Sequence, residues 1–128
     1  MGESRATAND LRGIAALLRS YRYNVGSESD FKSGVLEVLS RSHIEYACEY
    51  DLGPDFGRID LYLPNLRLGI ELKIKDSPSG ILRQLHRYAC SPRIASLVLL
   101  TIRPRLNPVP SSICGKRLTV ISVWEGLL

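Results

Sequence analysis

Cysteine and histidine are scarce in this chain of 128 residues, which contains three cysteines and two histidines. The cysteines are widely separated and form no Cys-x-x-Cys pair, so the sequence argues against a zinc or iron–sulfur site. We expect reduced, mostly buried thiols at Cys48, Cys90 and Cys114. His43 is expected near a helix end and His86 within a helix, both in ordinary structural positions.

Long apolar runs are also missing. The longest run, residues 94–102, is far too short to cross a bilayer and instead predicts a buried central strand. Residues 1–5 lack the apolar core of a secretory signal, and Ala6 stands where a myristoylation pattern needs Ser or Thr. We therefore expect a cytoplasmic protein with no membrane partner.

The composition shows neither an internal repeat nor a low-complexity stretch. Its 45% hydrophobic and 23% charged residues are ordinary for a soluble domain that buries a core without disulfides. The sequence predicts one domain over residues 1–128. Within it we expect an N-terminal helical extension at 1–26, a core at 27–102, and a loop with a final strand at 103–128.

Apolar periodicity and turn residues predict the element order helix, helix, three strands, helix, strand, strand. The expected helices cover about residues 10–21, 27–42 and 79–90, and the expected strands about residues 44–52, 58–63, 68–74, 94–102 and 117–124. This order indicates an α/β (α+β) fold in which helices flank a mixed central β-sheet.

Two of these strands form a predicted hairpin around Pro64-Asn65. In the first strand, the period of two places Asp60 and Tyr62 on one face and three apolar residues on the other: Ile59, Leu61 and Leu63. In the second strand, Glu71 and Lys73 project from the face opposite the apolar set: Leu68, Ile70, Leu72 and Ile74. The hairpin therefore brings two carboxylates and an ammonium group together.

Such a trio has a chemical use. Two carboxylates about 5 Å apart, at an effective dielectric near 20, repel by roughly 3 kcal/mol unless a cation joins them. Magnesium prefers hard oxygen ligands and keeps waters that phosphate oxygens can replace. Lys73 could then orient or deprotonate an attacking water, or offset charge on a phosphate. The alternative is a solvated Glu71–Lys73 pair on a half-exposed hairpin, contributing under about 1 kcal/mol.

The formal net charge of +4 is compatible with a polyanionic partner. Cationic residues recur on both sides of the hairpin: Arg12, Arg19, Arg22, Arg83, Arg87, Arg103, Arg105, Lys116 and Arg117. Clusters that flank an acidic metal site would grip phosphates on either side of a cut. Scattered solubilising charge is the alternative explanation.

The element order, with Asp60, ten intervening residues and then Glu71-Leu72-Lys73, resembles the PD-(D/E)XK nuclease superfamily over about residues 27–102. The resemblance implies a restriction-endonuclease-like core and Mg²⁺ or Mn²⁺ held by Asp60, Glu71 and the Leu72 carbonyl. It also implies that Lys73 positions the nucleophilic water. Glu28 matches the acid of the family's first helix, with Glu37 as its competitor; as a plain first-turn acid, Glu28 would only favour the helix dipole.

Gln84 and Tyr88 fit the Gln-x-x-x-Tyr element of RecB-like and phage exonuclease-like members, in which the Gln can bond a scissile phosphate or a water. Their spacing places them on one helix face; an ordinary surface Gln and a partly buried Tyr are the alternative. Ile59 stands where the family name has proline. A literal Pro-Asp occurs at Pro54-Asp55, but Asp60 is preferred because it lies within an alternating strand; Asp55 is a candidate for a supporting role.

The resulting expectation is a metal-dependent deoxyribonuclease that reads DNA structure or ends, as a homodimer or within a larger nucleic-acid-processing complex. Catalytic roles are expected for Asp60, Glu71, Lys73, Glu28 and Gln84, and nucleic-acid contacts for Arg58, Arg83, Arg87, Tyr88, Arg103, Arg105 and Lys116. Junction resolvase-like cutting, a tRNA-cleaving toxin on the same scaffold, a non-catalytic DNA-binding module and a small α/β protein with a charged hairpin remain alternatives.

Overall fold

The computed structural model describes residues 10–75, 78–102 and 110–125, and for Pro78, Trp124 and Glu125 it describes the main chain alone. Two expected nucleic-acid contacts, Arg103 and Arg105, lie outside the described residues.

The described residues form three helices, two of which follow a capping residue. Helix α1 spans Leu11–Arg19, and the Asp10 side chain caps it by accepting a hydrogen bond from the Gly13 N–H at 2.8 Å. Helix α2 spans Glu28–Arg41, capped by Ser27 in the same way through Asp30 N–H at 3.0 Å. Helix α3 spans Pro78–Ala89 and begins with proline, which needs no N–H partner in a first turn. All three predicted helices are confirmed to within about two residues.

The described parts of the chain form eight strands in two sheets. In chain order they are β1 Arg22–Tyr23, β2 Ala47–Asp51, β3 Arg58–Leu63, β4 Leu68–Lys73, β5 Ser96–Thr101, β6 Ser112–Ile113, β7 Lys116–Ser122 and β8 Trp124–Glu125. The main sheet has the order β2-β3-β4-β5-β7-β6, parallel through β4, β5 and β7 and antiparallel at its other pairings. Strands β1 and β8 pair separately and in parallel. The predicted mixed sheet with flanking helices is confirmed.

The predicted element order is wrong in detail, because it lacks β1, β6 and β8. Each of these has only two residues, which is too short to carry a readable period. Strand β2 also begins three residues later than expected. The main chain of Ile44 still donates to the Leu39 carbonyl at 3.0 Å and closes the end of α2, so residues 44–46 cannot pair in the sheet.

The sheet is covered on both faces. Helices α1 and α2 lie on one face, over an apolar cluster that includes Ile14, Leu18, Phe31, Leu61, Leu63, Ile70 and Val98. Helix α3 lies on the other face, over a second cluster that includes Ile59, Ile81, Leu85, Tyr88, Ile94, Leu97 and Leu99. The sheet therefore sits between two helical layers, and β5 is the buried central strand that its apolar run predicted.

One prediction about β3 is wrong. Ile59 was expected on the face of Leu61 and Leu63, but it packs in the cluster under α3 while those two leucines pack in the cluster under α1 and α2. The alternation breaks at Asp60, which has no Cα partner in the described pairings with β2 or β4. Glu49, the β2 residue that would face it, has a φ of +49°. The β2–β3 register is the same on both sides of this pair, so the ladder is interrupted at Asp60 without an inserted residue.

Gly69 in β4 leaves room for core side chains to pack over the strand on the side of α3. A Cβ at this position would lie 2.6 Å from Ile59 Cδ1 and 2.9 Å from Ile94 Cδ1, so only glycine fits without displacing core side chains. Ile59 of β3 thus packs directly against β4, two residues before Glu71.

Among the helices of residues 10–75, 78–102 and 110–125, none has the length and apolarity that a membrane span requires.

Candidate active site

Asp60 and Glu71 face each other across the break in the β3–β4 ladder. The Asp60 N–H donates to Glu71 Oε1 at 3.3 Å, and the Leu72 N–H donates to Asp60 Oδ2 at 2.9 Å. Each carboxylate thus takes a place that a backbone carbonyl would hold in a regular sheet. The two side chains are held close together and in fixed orientations.

The Glu71 carboxylate is buried, with only 3% of the residue exposed. Burial, and next the nearby Asp60 carboxylate, raise the pKa of Glu71 from its ordinary value of 4.5 to about 8. The Asp60 N–H and Lys73 act in the opposite direction but do not cancel the effect. A cation bound between the two acids would stabilise the deprotonated form of Glu71 and so lower its pKa.

Lys73 lies on the same face of β4 as Glu71, as the strand pattern predicted. Its Nζ is 3.6 Å from Glu71 Oε2, and its side chain is partly buried. It also lines a cavity of about 540 Å³, together with Gly80, Arg83, Gln84 and Arg87 of α3. The structure therefore brings three cationic side chains and Gln84 together at one opening.

Tyr88 corrects an expectation. It was predicted to contact nucleic acid, but it is 1% exposed, and its hydroxyl donates to the Arg58 carbonyl at 3.0 Å. Burial, then the Glu71 and Asp60 charges, raise the pKa of Tyr88 well above its usual value, so the phenol stays protonated. Tyr88 and Glu71 also affect each other: Tyr88 lowers the pKa of Glu71, and Glu71 raises the pKa of Tyr88. Tyr88 therefore supports β3 from within the core and is too deeply buried to contact a bound nucleic acid.

Helix α2 contributes two charged side chains near the β3–β4 hairpin, Glu28 and Lys32. Glu28, in its first turn, accepts a hydrogen bond from the Ile74 N–H at 3.3 Å, just after β4 ends. Lys32, one helical turn later, pairs with Glu49. Burial lowers the pKa of Lys32, but the bond to Glu49 and the charges of Glu49 and Asp60 raise it overall. The sequence analysis did not select Lys32 as a site residue. Its spacing of four residues from Glu28, which puts both on one helix face, could have indicated it.

Two competing acids lie elsewhere. Glu37 pairs with Arg41 at 2.9 Å and lines a separate cavity with Tyr21, Arg22 and Tyr23. Asp55 is exposed in the turn between β2 and β3. Of the two helical acids proposed to complete the site, Glu28 is therefore the one that the fold places beside β4.

The residues expected to contact nucleic acid do not all lie on one part of the surface. Arg83 and Arg87 line the cavity beside Lys73, and Arg58 is exposed at the start of β3. Lys116 is elsewhere: its Nζ donates to the Ser91 carbonyl at 2.8 Å, and it begins β7, whose far end pairs with the end of β5 where Lys73 lies. Six residues of strand separate these ends by roughly 20 Å. The structure therefore does not bring Lys116 to the cavity beside Lys73, and its predicted contact with nucleic acid stays a prediction.

The cysteine predictions also need correction. All three thiols are exposed rather than buried. His86, Cys90 and Cys114 have ligand atoms within 4.8 Å of one another, the sole such group of three His, Cys, Asp or Glu residues in the described parts of the chain. Sequence spacing could not show this cluster, because the fold brings together two cysteines that are 24 positions apart in the chain.

Comparison with known protein families, curated proteins and solved structures finds no match for this chain. The chemistry of the site is therefore argued from its own residues.

A hard divalent cation fits the donor set at the β3–β4 break. Asp60 and Glu71 offer two carboxylates, and magnesium is commonly held by one or two carboxylates plus water. The Leu72 carbonyl leaves β4 on the same side as the Leu72 N–H, which points at Asp60. Glu28 does not join these two acids in a compact set of three, since its carboxylate bonds the Ile74 N–H instead. Its position is that of a supporting residue.

Proposed function

We propose that this protein is a metal-dependent nuclease that hydrolyses phosphodiester bonds in DNA, on a restriction-endonuclease-like core with a PD-(D/E)XK-type site. One observation carries the proposal: the buried Glu71 carboxylate lies beside Asp60 and Lys73, and Lys73 also lines a cavity with Arg83 and Arg87. Two acids suit a metal, and the surrounding cations suit a phosphate.

The roles follow from position. Asp60, Glu71 and the Leu72 carbonyl would hold Mg²⁺ or Mn²⁺, which when bound supplies Lewis-acid polarisation of the phosphate and acidifies a water. The Lys73 ammonium would orient the attacking water or donate to a non-bridging phosphate oxygen. Gln84, on the cavity wall, would donate its amide N–H to phosphate or water. The water oxygen would bond to phosphorus and release a proton to solvent while the P–O ester bond breaks. The leaving oxygen would take a proton from solvent and become a hydroxyl end, and the other end would keep the phosphate.

The substrate is proposed from the charge and shape of the surface. Arg83 and Arg87 are one turn apart on α3 and line the same opening, so they can contact successive phosphates. In the described residues, at least one strand separates each helix from the next, so no two helices form a helix-turn-helix pair. DNA structure or ends, rather than a long sequence, are therefore the proposed target, and cutting of both strands would require a homodimer or a partner complex.

The proposal is tested with supercoiled plasmid, linear duplex, single-stranded DNA, a four-way junction and tRNA, with Mg²⁺, Mn²⁺ or EDTA. Asp60→Asn keeps an oxygen for the Leu72 N–H but lowers the ligand charge, so metal-dependent cleavage should be lost. Lys73→Ala should lower the rate by about 10² to 10⁴-fold while Mg²⁺ binding persists.

Arg41→Ala is the matched control. It removes one positive charge from an exposed side chain paired with Glu37, away from the cavity. It should cut like the parent protein. Cleavage that survives Asp60→Asn and Lys73→Ala would refute the proposed site, and preferential cleavage of tRNA would move the substrate to RNA. A folded protein that binds DNA and cuts none of the substrates would instead be a non-catalytic DNA-binding module.

A further inference from the structure

A second cluster lies at the end of the sheet opposite Lys73, where the end of α3 meets the β6–β7 hairpin. His86 and Cys90 are four residues apart on α3, so their side chains share one helix face. Cys114 lies in the two-residue turn between β6 and β7. All three side chains are exposed, so an ion from solution can reach them.

The separations suit one tetrahedral ion. Cys114 Sγ lies 3.4 Å from His86 Nε2 and 3.2 Å from Cys90 Sγ, and Cys90 Sγ lies 3.9 Å from His86 Nδ1. With zinc–sulfur bonds of about 2.3 Å and zinc–nitrogen bonds of about 2.0 Å, tetrahedral ligands lie about 3.8 Å apart for two sulfurs and about 3.5 Å for sulfur and nitrogen. His86 would give one of its two ring nitrogens to the ion. Because the three ligand atoms lie within 4.8 Å of one another, side-chain movements of about 1 Å would satisfy all three bonds.

The backbone at Cys114 is an independent observation. Cys114 has a φ of +51° and Gly115 a φ of +74°, the left-handed pair that a tight two-residue hairpin needs. Asn, Asp or Gly is the usual first residue of such a turn, and a cysteine there adopts a disfavoured conformation. Strain of this kind is kept where the side chain has a use, and here the turn directs the Cys114 sulfur at Cys90 and His86.

We propose that His86, Cys90 and Cys114 form a zinc site that fastens the end of α3 to the β6–β7 hairpin. Two thiolates and an imidazole select a borderline or soft ion such as zinc over magnesium, which prefers oxygen ligands. Water completes the fourth position, as in three-ligand zinc sites. This site is separate from the acidic site and does not depend on the proposed nuclease activity.

The chain offers two well-matched variants. Cys114→Asn removes a ligand but puts a preferred residue into the turn, so the metal-free fold should be unharmed. Cys48→Ser is the thiol control, because Cys48 is also exposed but lies in β2, at the opposite edge of the sheet.

The test measures metal content, Co²⁺ spectra and melting temperature of the full chain kept reduced. The parent protein and Cys48→Ser should bind one zinc per chain, show thiolate-to-cobalt charge transfer and d–d bands of tetrahedral Co²⁺, and melt at higher temperature with added zinc. Cys114→Asn and Cys90→Ser should lose these bands and bind zinc more than about 100-fold more weakly. Loss of a residue that only hydrogen-bonds a metal ligand usually weakens binding by about 10 to 100-fold.

Unchanged zinc affinity in Cys114→Asn, or loss of affinity in Cys48→Ser, would overturn the proposal. So would a Cys90–Cys114 disulfide in protein whose thiols are blocked at the moment of cell lysis, since oxidised sulfurs cannot hold the ion.

Discussion

The Asp60 N–H donates a hydrogen bond to the carboxylate of Glu71 at 3.3 Å, across a point where β3 and β4 have left their regular ladder. The bond is made by a carboxylate that burial and its neighbour Asp60 tend to keep protonated. Several measurable consequences follow from this pairing and from the groups around it.

Glu71→Gln should remove a pH dependence of stability in the metal-free protein. The unfolded chain releases this proton near pH 4.5, whereas folded Glu71, with its pKa raised to about 8, retains it. Between those values the folded state binds more protons, so the free energy of unfolding falls as the pH rises, by an amount on the order of a few kcal/mol. Urea unfolding of both proteins from pH 5 to pH 8 without metal tests this.

The same titration predicts how magnesium acts. Because the cation needs the deprotonated carboxylate, adding Mg²⁺ should raise the unfolding midpoint of the parent protein more at pH 8 than at pH 6. Identical pH profiles for the parent protein and Glu71→Gln would show that Glu71 titrates normally and would contradict the expected coupling.

Two tyrosines form a matched pair for testing the support of the site. Tyr88 donates its hydroxyl to the Arg58 carbonyl at 3.0 Å, and Tyr62 donates its own to the Arg93 carbonyl at 2.6 Å. Tyr88→Phe and Tyr62→Phe should each lower the free energy of unfolding by about 1 kcal/mol. Only Tyr88→Phe should shift the pH profile of metal binding, towards higher pH, because Tyr88 alone of the two lowers the pKa of Glu71. Equal profiles in the two variants would argue against this role.

Arg83→Ala and Arg87→Ala should each weaken DNA binding and reduce the slope of log affinity against log salt by about 0.9, since each lost phosphate contact releases one fewer counterion. Lys116→Ala removes the same charge at the other end of the sheet and should leave the slope unchanged. Fluorescence anisotropy at several salt concentrations, with Ca²⁺ replacing Mg²⁺, measures binding apart from cleavage. If only Lys116→Ala changed the slope, the DNA would bind at the Lys116 end of the sheet, and the proposed contacts with Arg83 and Arg87 would be wrong.

Gly69→Ala should destabilise the protein by about 1 to 3 kcal/mol, because its methyl group would overlap Ile59 and Ile94 in a packed core. Pairing the change with Ile59→Val, which shortens the side chain that comes within 2.6 Å, should restore part of the loss. Thermal unfolding of the single and double variants measures the coupling. Strictly additive effects would mean that the contact is relieved elsewhere.

Much of the fold was readable because its signals are local. Asp10 and Ser27 cap two helices whose ranges the apolar periodicity predicted. The Pro64-Asn65 turn joins two strands whose period places Glu71 and Lys73 on one face. The short strands β1, β6 and β8 could not be read, since two residues carry no period and form only when a partner strand is already in place.

The sequence by itself determined the helices, the long strands and the hairpin that carries Asp60, Glu71 and Lys73, because capping, turn chemistry and alternation act between near neighbours. Only the tertiary structure decided that Glu28 rather than Glu37 lies beside β4, that Tyr88 is buried, and that Lys116 is remote from the cavity. It also decided that Cys90 meets Cys114. These contacts join residues far apart in the chain, and packing of α2 and α3 on opposite faces of the sheet sets which of them meet.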